Sequence, residues 1–141
     1  MDRTYIGVKI ILGQPMTRGD YNAYRGWKTP ERENPEDEGY MVEYPDSAGN
    51  HPDHAGYISW SPKSVFDKSY IPVGDTQGLE PFVVRLLGER AELNDRLNKL
   101  HGFLDQESVP VDEINLQLLH AQKQAMKQLL DIIDQRIIVL K

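Results

Sequence analysis

The chain contains no cysteine, so neither a disulfide framework nor a cysteine-ligated metal can hold it together. That suits a reducing compartment. No stretch approaches the ~20 consecutive apolar residues of a membrane helix, and the run in the opening MDRTYIGVKIILG is short and alternates like a strand. These absences predict a soluble, cytoplasmic protein that does not engage a membrane. Basic charge is scarce as well. The net charge is −6, and eleven acids face eight bases in residues 1–72 and again in residues 73–141. Neither half offers the clustered cationic face that binding to polymeric nucleic acid draws on. A glycine-rich phosphate loop is also missing, and no histidine stands in a pattern with serine or cysteine that would give a nucleophile and its base. His51 and His54 lie beside Asp46 and Asp53 in a loop broken by Pro52. Three-residue spacing suits a metal on a helix, but in a loop it has no fixed geometry, so neither a metal nor another cofactor is expected.

What is present changes character near Gly74. Both tryptophans, all seven tyrosines and every proline except Pro81 and Pro110 precede it. Residues 1–72 read as a small β-rich module, residues 73–79 as a linker and residues 80–141 as a helical hairpin. In the module, Tyr5 to Leu12 (YIGVKIIL) predicts a strand. Thr17 can cap a helix over TRGDYNAYR, with Asp20 in the capping-box position and Gly26 as the stop. The acidic stretch Lys28 to Glu38 reads as a solvated loop. Gly39 to Tyr44 and Gly56 to Trp60 predict two strands joined by the long loop PDSAGNHPDHA. Ser61 then caps a short helix with Pro62 in its first position. The fold class is α+β, an antiparallel β-rich domain followed by a long antiparallel helical hairpin.

In the tail, Leu79, Val83, Leu86, Arg90, Leu93, Leu97, Leu100 and Leu104 recur at steps of four and three, the repeat of a helix laying one narrow seam on a partner. Only Arg90 interrupts the seam, and a guanidinium there is costly unless paired. The second helix is apolar over too wide an arc for one neighbour, since a single buried stripe takes roughly three positions in seven. Ile114, Leu118, Leu119, Ala125, Met126, Leu129, Leu130, Ile132, Ile133, Ile137, Ile138 and Leu140 spread over two sides. The segment DQESVPVD between the helices ends in a plausible N-cap, Asp112, so the helices fold back on each other. A hairpin with a second apolar side predicts self-association, from dimer up to hexamer.

The segments LEPFVVRLLGERAELNDRLNKLHGFL and LQLLHAQKQAMKQLLDIIDQRI resemble the helical hairpin shared by phage anti-CBASS and anti-Thoeris proteins, over about residues 79–140. The leading stretch, with PMTRGDYNAYRGW, NPEDEGYMVEYPD and GYISWSPKSVF, is similar to a module of phage proteins that is joined to different C-terminal partners, another anti-Thoeris domain among them. The resemblance implies an oligomeric sponge that buries cyclic nucleotide immune signals, cyclic oligonucleotides or cyclic ADP-ribose isomers, in the host cell cytoplasm without cleaving them.

A cyclic nucleotide needs a planar group for stacking and cationic or amide donors for its edges. Phe82, Arg85 and Arg136 are the first candidates, with Arg136 counted across from Phe82 near the open end of the hairpin. Arg90, Asn94 and Lys99 are the second set, deeper along the first helix and facing Lys123 and Lys127. Each has a structural reading too. Phe82 can be core, Arg136 can pair with Asp134 or Glu80, Arg90 can set helix register, and the lysines can be solvated. Two other functions compete with the sponge. One is an adaptor whose aromatic module grips a protein through Tyr24, Trp27, Tyr57 or Trp60, and the other is a hydrolase of the same signals.

Overall fold

A computed structural model describes all 141 residues. The chain is α+β and divides into two compact units, Met1–Tyr70 and Ile71–Lys141. The first holds a three-stranded antiparallel sheet in the order β1 (Leu12–Pro15), β2 (Gly39–Tyr44), β3 (Tyr57–Pro62), with short helices α1 (Arg18–Tyr24) and α2 (Lys63–Ser69). Pairing of Met41 with Trp60 and of Glu43 with Ile58 puts these four side chains on one face of the sheet. Tyr21 of α1 closes a core there with Met41 and Ile58, flanked by Met16 and Trp60. Val42 is fully buried from the opposite face, where the ring of Tyr40 stacks on Phe66 of α2 with centroids 3.9 Å apart.

β1 differs from the strand expected over Tyr5–Leu12. It begins where that stretch ends, because its partner runs out: Leu12 pairs with Glu43, and just beyond it β2 stops at Tyr44, whose carbonyl accepts from the Ser47 N–H in a turn. Residues before Leu12 form neither strand nor helix and lie exposed, apart from the half-buried Ile11. Thr17 caps α1 as its position suggests, accepting from the Asp20 N–H at 3.2 Å, and Gly26 stops the helix in the left-handed region at φ 75°. Gly39 is required for a different reason: a Cβ there would meet the Trp60 ring at 2.5 Å. The cap of α2 is Pro62, not Ser61, since β3 runs on and keeps Ser61 paired with Tyr40.

The acidic loop is exposed, as a solvated loop should be, but two of its residues, Thr29 and Glu33, anchor it. Arg18 makes a bidentate bridge to Glu33, with both N···O distances 2.8 Å, and lies over the Trp60 ring. Buried Asn22 donates to Thr29 and Glu33. A helix-face arginine and a loop glutamate fifteen residues apart leave no periodic trace in sequence.

The second unit is the hairpin of α3 (Pro81–Leu104) and α4 (Glu113–Leu140). α3 opens with proline at its first position, where the missing N–H has no helical partner to lose. Asp112 caps α4, its carboxylate accepting from the Asn115 N–H and side-chain amide at 2.8 Å each. That bond holds the Asp112 carboxyl below its ordinary range. Leu86, Leu93 and Leu97 of α3 close on Met126, Ile133 and Ile137 of α4. No helix is long and apolar enough to cross a membrane.

Candidate functional site

The hairpin core occupies one stripe of each helix and leaves a groove on either flank. One groove, of about 460 Å³, is lined by Phe82 at the start of α3 and by Ile132, Gln135, Arg136, Val139 and Leu140 of α4. Phe82 is 56% exposed, so its ring faces the groove instead of filling the core. Arg136 is exposed and makes no ion pair with Asp134, Glu80 or any other acid. A flat ring, a free guanidinium and an amide on an apolar floor are thus gathered in one place.

The other groove, of about 610 Å³, includes Arg90, Asn94, Asn98, Asp95 and Asp134 and is bordered by Ile71, Pro72 and Val73. Here the cation is already engaged. Arg90 donates to both carboxylate oxygens of Asp134, and that contact makes its proton harder to lose. A residue count places Arg90 near Lys123 and Lys127, but side chains lean toward the start of their own helix. Across the antiparallel pair Arg90 meets Asp134 instead. With two carboxylates in its lining, this groove suits hydroxyl and amide edges better than phosphate.

The six residues singled out by sequence do not converge. Phe82 and Arg136 share the first groove, and Arg90 with Asn94 the second. Arg85 is exposed and lines neither, while Lys99 turns outward to pair with Asp95 at 2.9 Å. Sequence counting missed Gln135, which sits one residue from Arg136, and Asp134, the only acid that reaches the seam cation.

A polar chain in the first unit also went unread. Glu43 bonds His54 Nδ1 at 2.7 Å, His54 Nε2 bonds the Tyr24 hydroxyl at 2.6 Å, and the Tyr24 ring stacks on His51. The other oxygen of Glu43 accepts from the Gly56 N–H at 3.0 Å. This arrangement ties the long β2–β3 loop to α1. Its signal was available: the alternation of GYMVEY puts an acid on the same face as Met41. Trp60, offered as a contact for a protein partner, is held inward by Arg18 and by its indole N–H donating to the Met16 carbonyl at 2.8 Å.

The hairpin thus has a closed two-helix core and open flanks. Residues 80–138, covering α3 and nearly all of α4, match the Sequestin family. It is a family of sponges that sequester cyclic nucleotide signals and do not catalyse a reaction. No curated protein matches the chain, and no solved structure does.

Proposed function

We infer that the hairpin unit takes up a cyclic nucleotide signal, a cyclic oligonucleotide or a cyclic ADP-ribose isomer, and holds it uncleaved within a homo-oligomer. The role that follows is phage counter-defence in the host cytoplasm, against systems such as CBASS and Thoeris. The family match over residues 80–138 carries this reading. The groove chemistry supports it, since Phe82 offers a stacking plane, Gln135 an amide for base or ribose edges and Arg136 a charge for phosphate. Ile132 and Val139 belong both to this groove and to the exposed apolar side of α4. A second copy covering that side would close the groove and exclude water from the ligand.

The test is depletion and recovery. The protein is incubated with a panel of cyclic dinucleotides, cyclic trinucleotides and cyclic ADP-ribose isomers, separated from free ligand, and heat-denatured. Intact ligand in the supernatant is the expected outcome, with Phe82→Ala and Arg136→Ala each weakening capture by about ten- to a hundredfold, the worth of one stacking or charged contact. Degraded ligand would identify a hydrolase. Absence of depletion across the panel would remove the sponge and favour the adaptor, for which the exposed rings of Tyr24, Trp27 and Tyr57 are the supporting observation.

A further inference from the structure

The segment Tyr5 to Ile11 is strand-forming sequence without a strand partner. Tyr5, Ile6 and Val8 are 86%, 83% and 82% exposed, and no backbone group before Leu12 bonds another part of the chain outside β1. Extended apolar sequence that continues an edge strand is a template for pairing. We propose that this arm is an interaction surface for a second copy of the chain, pairing antiparallel with the same arm of its partner.

Three observations favour pairing of arm with arm between two copies. The first is register. The free stretch is centred on Val8, so full antiparallel overlap of two arms sets Tyr5 opposite Ile11, Ile6 opposite Ile10 and Gly7 opposite Lys9. Ile6, Val8 and Ile10 of both copies then share one face. Charge is the second. In that register Lys9 meets glycine, Asp2 meets Gln14 and Arg3 meets Gly13, so no like charges are opposed. The third concerns the alternative edge within the protein. β3 is the other outer strand, but the Asn50 side chain already occupies its backbone, donating to the Ile58 carbonyl at 2.9 Å and accepting from the Ile58 N–H at 2.8 Å. The arm's own edges have no such cover. This contact is separate from the α4 surface and does not rest on the sponge reading.

The absence of cysteine makes the test clean. Val8→Cys should place two thiols across an antiparallel pair, within disulfide reach. In full-length protein at micromolar concentration under mild oxidation, it should form a covalent dimer roughly a hundredfold faster than Lys28→Cys on an exposed loop, because docked thiols meet at millimolar effective concentration. The Ile6→Lys, Val8→Lys double variant alters only exposed side chains and should sediment at a lower mass than the parent. Equal cross-linking rates for the two cysteine variants would overturn the proposal, as would unchanged sedimentation of the double variant. Cosedimentation of the parent with phosphatidylcholine and phosphatidylserine vesicles, lost in that variant and without a protein dimer, would assign the arm to lipid and overturn it equally.

Discussion

Arg90 stands where the α3 seam otherwise carries leucine or valine, and Asp134 determines what that exception costs. Both side chains keep more than a third of their surface in water, 38% and 39%, so their attraction is screened and worth no more than about 1 kcal/mol. The pair therefore does little for stability. What it does is join α3 to α4 at one place along the hairpin. Glu43 is more enclosed, and its protonation has a defined sign. The hydrogen bond from His54 holds its carboxyl below the ordinary range, the Gly56 N–H adds to this, and burial opposes both. A carboxyl whose pKa is lowered by folding stabilises the fold at pH above the unfolded value. That contribution is lost as pH falls through the folded value. The thermal midpoint of the first unit is accordingly expected to drop as pH falls below about 4, with Glu43→Gln flattening that dependence because it keeps an acceptor for Gly56 but carries no charge. Circular dichroism melts at several pH values measure it. A Glu43→Gln profile parallel to the parent's would place the acid sensitivity elsewhere, with Glu33, held low by Arg18, the next group to replace.

Among the elements, α4 carries two apolar sides and spends only one inside the hairpin. Met126, Ile133 and Ile137 face α3, whereas Ile114, Leu118, Leu129, Ile132 and Val139 stay exposed. Adjacent isoleucines separate the two sides experimentally. Ile133 is 1% exposed, so Ile133→Ala should destabilise the hairpin by about 2–5 kcal/mol in urea unfolding. Ile132 is 54% exposed, so Ile132→Lys should keep parental helix content while lowering the mass in analytical ultracentrifugation. A parent protein that sediments as single chains at micromolar concentration would refute self-association through this side. Both arcs of α4 were legible in sequence because a helix writes its faces at a fixed period. β1 was not, since YIGVKIIL has strand propensity throughout and only the length of β2 decides which residues find a partner. The α2 cap failed similarly: Ser61 and Pro62 satisfy the local rule, but pairing with Tyr40 holds Ser61 in the sheet.

At the scale of the molecule, each unit has its own core, one around Tyr21, Met41 and Ile58 and one around Leu93, Met126 and Ile133. The compositional shift near Gly74 falls inside the second unit, which already begins at Ile71. It could not announce that Ile71, Pro72 and Val73 line the groove beside Arg90, because that depends on how the chain leaves α2 and approaches α3. The candidate site was legible to the same degree. Counting along an antiparallel hairpin brings Phe82 toward Arg136, but it ignores the lean and flank of each side chain, so Arg85 and Lys99 were grouped with residues whose grooves they do not enter. Separate cores lead to a fragment experiment. Residues 71–141 should fold as a helical unit and retain the captured ligand at the same number of molecules per chain as the whole protein, whereas residues 1–70 should retain none, measured by equilibrium dialysis followed by heat release. Shortening the first fragment to residues 75–141 strips Ile71–Val73 from the Arg90 groove and leaves the Phe82 groove untouched. If the ligand lies against Phe82 and Arg136, both hairpin fragments bind equally. Loss of binding in the shorter one alone would move the site to the Arg90 flank, and retention by residues 1–70 alone would move it out of the hairpin and into the aromatic unit.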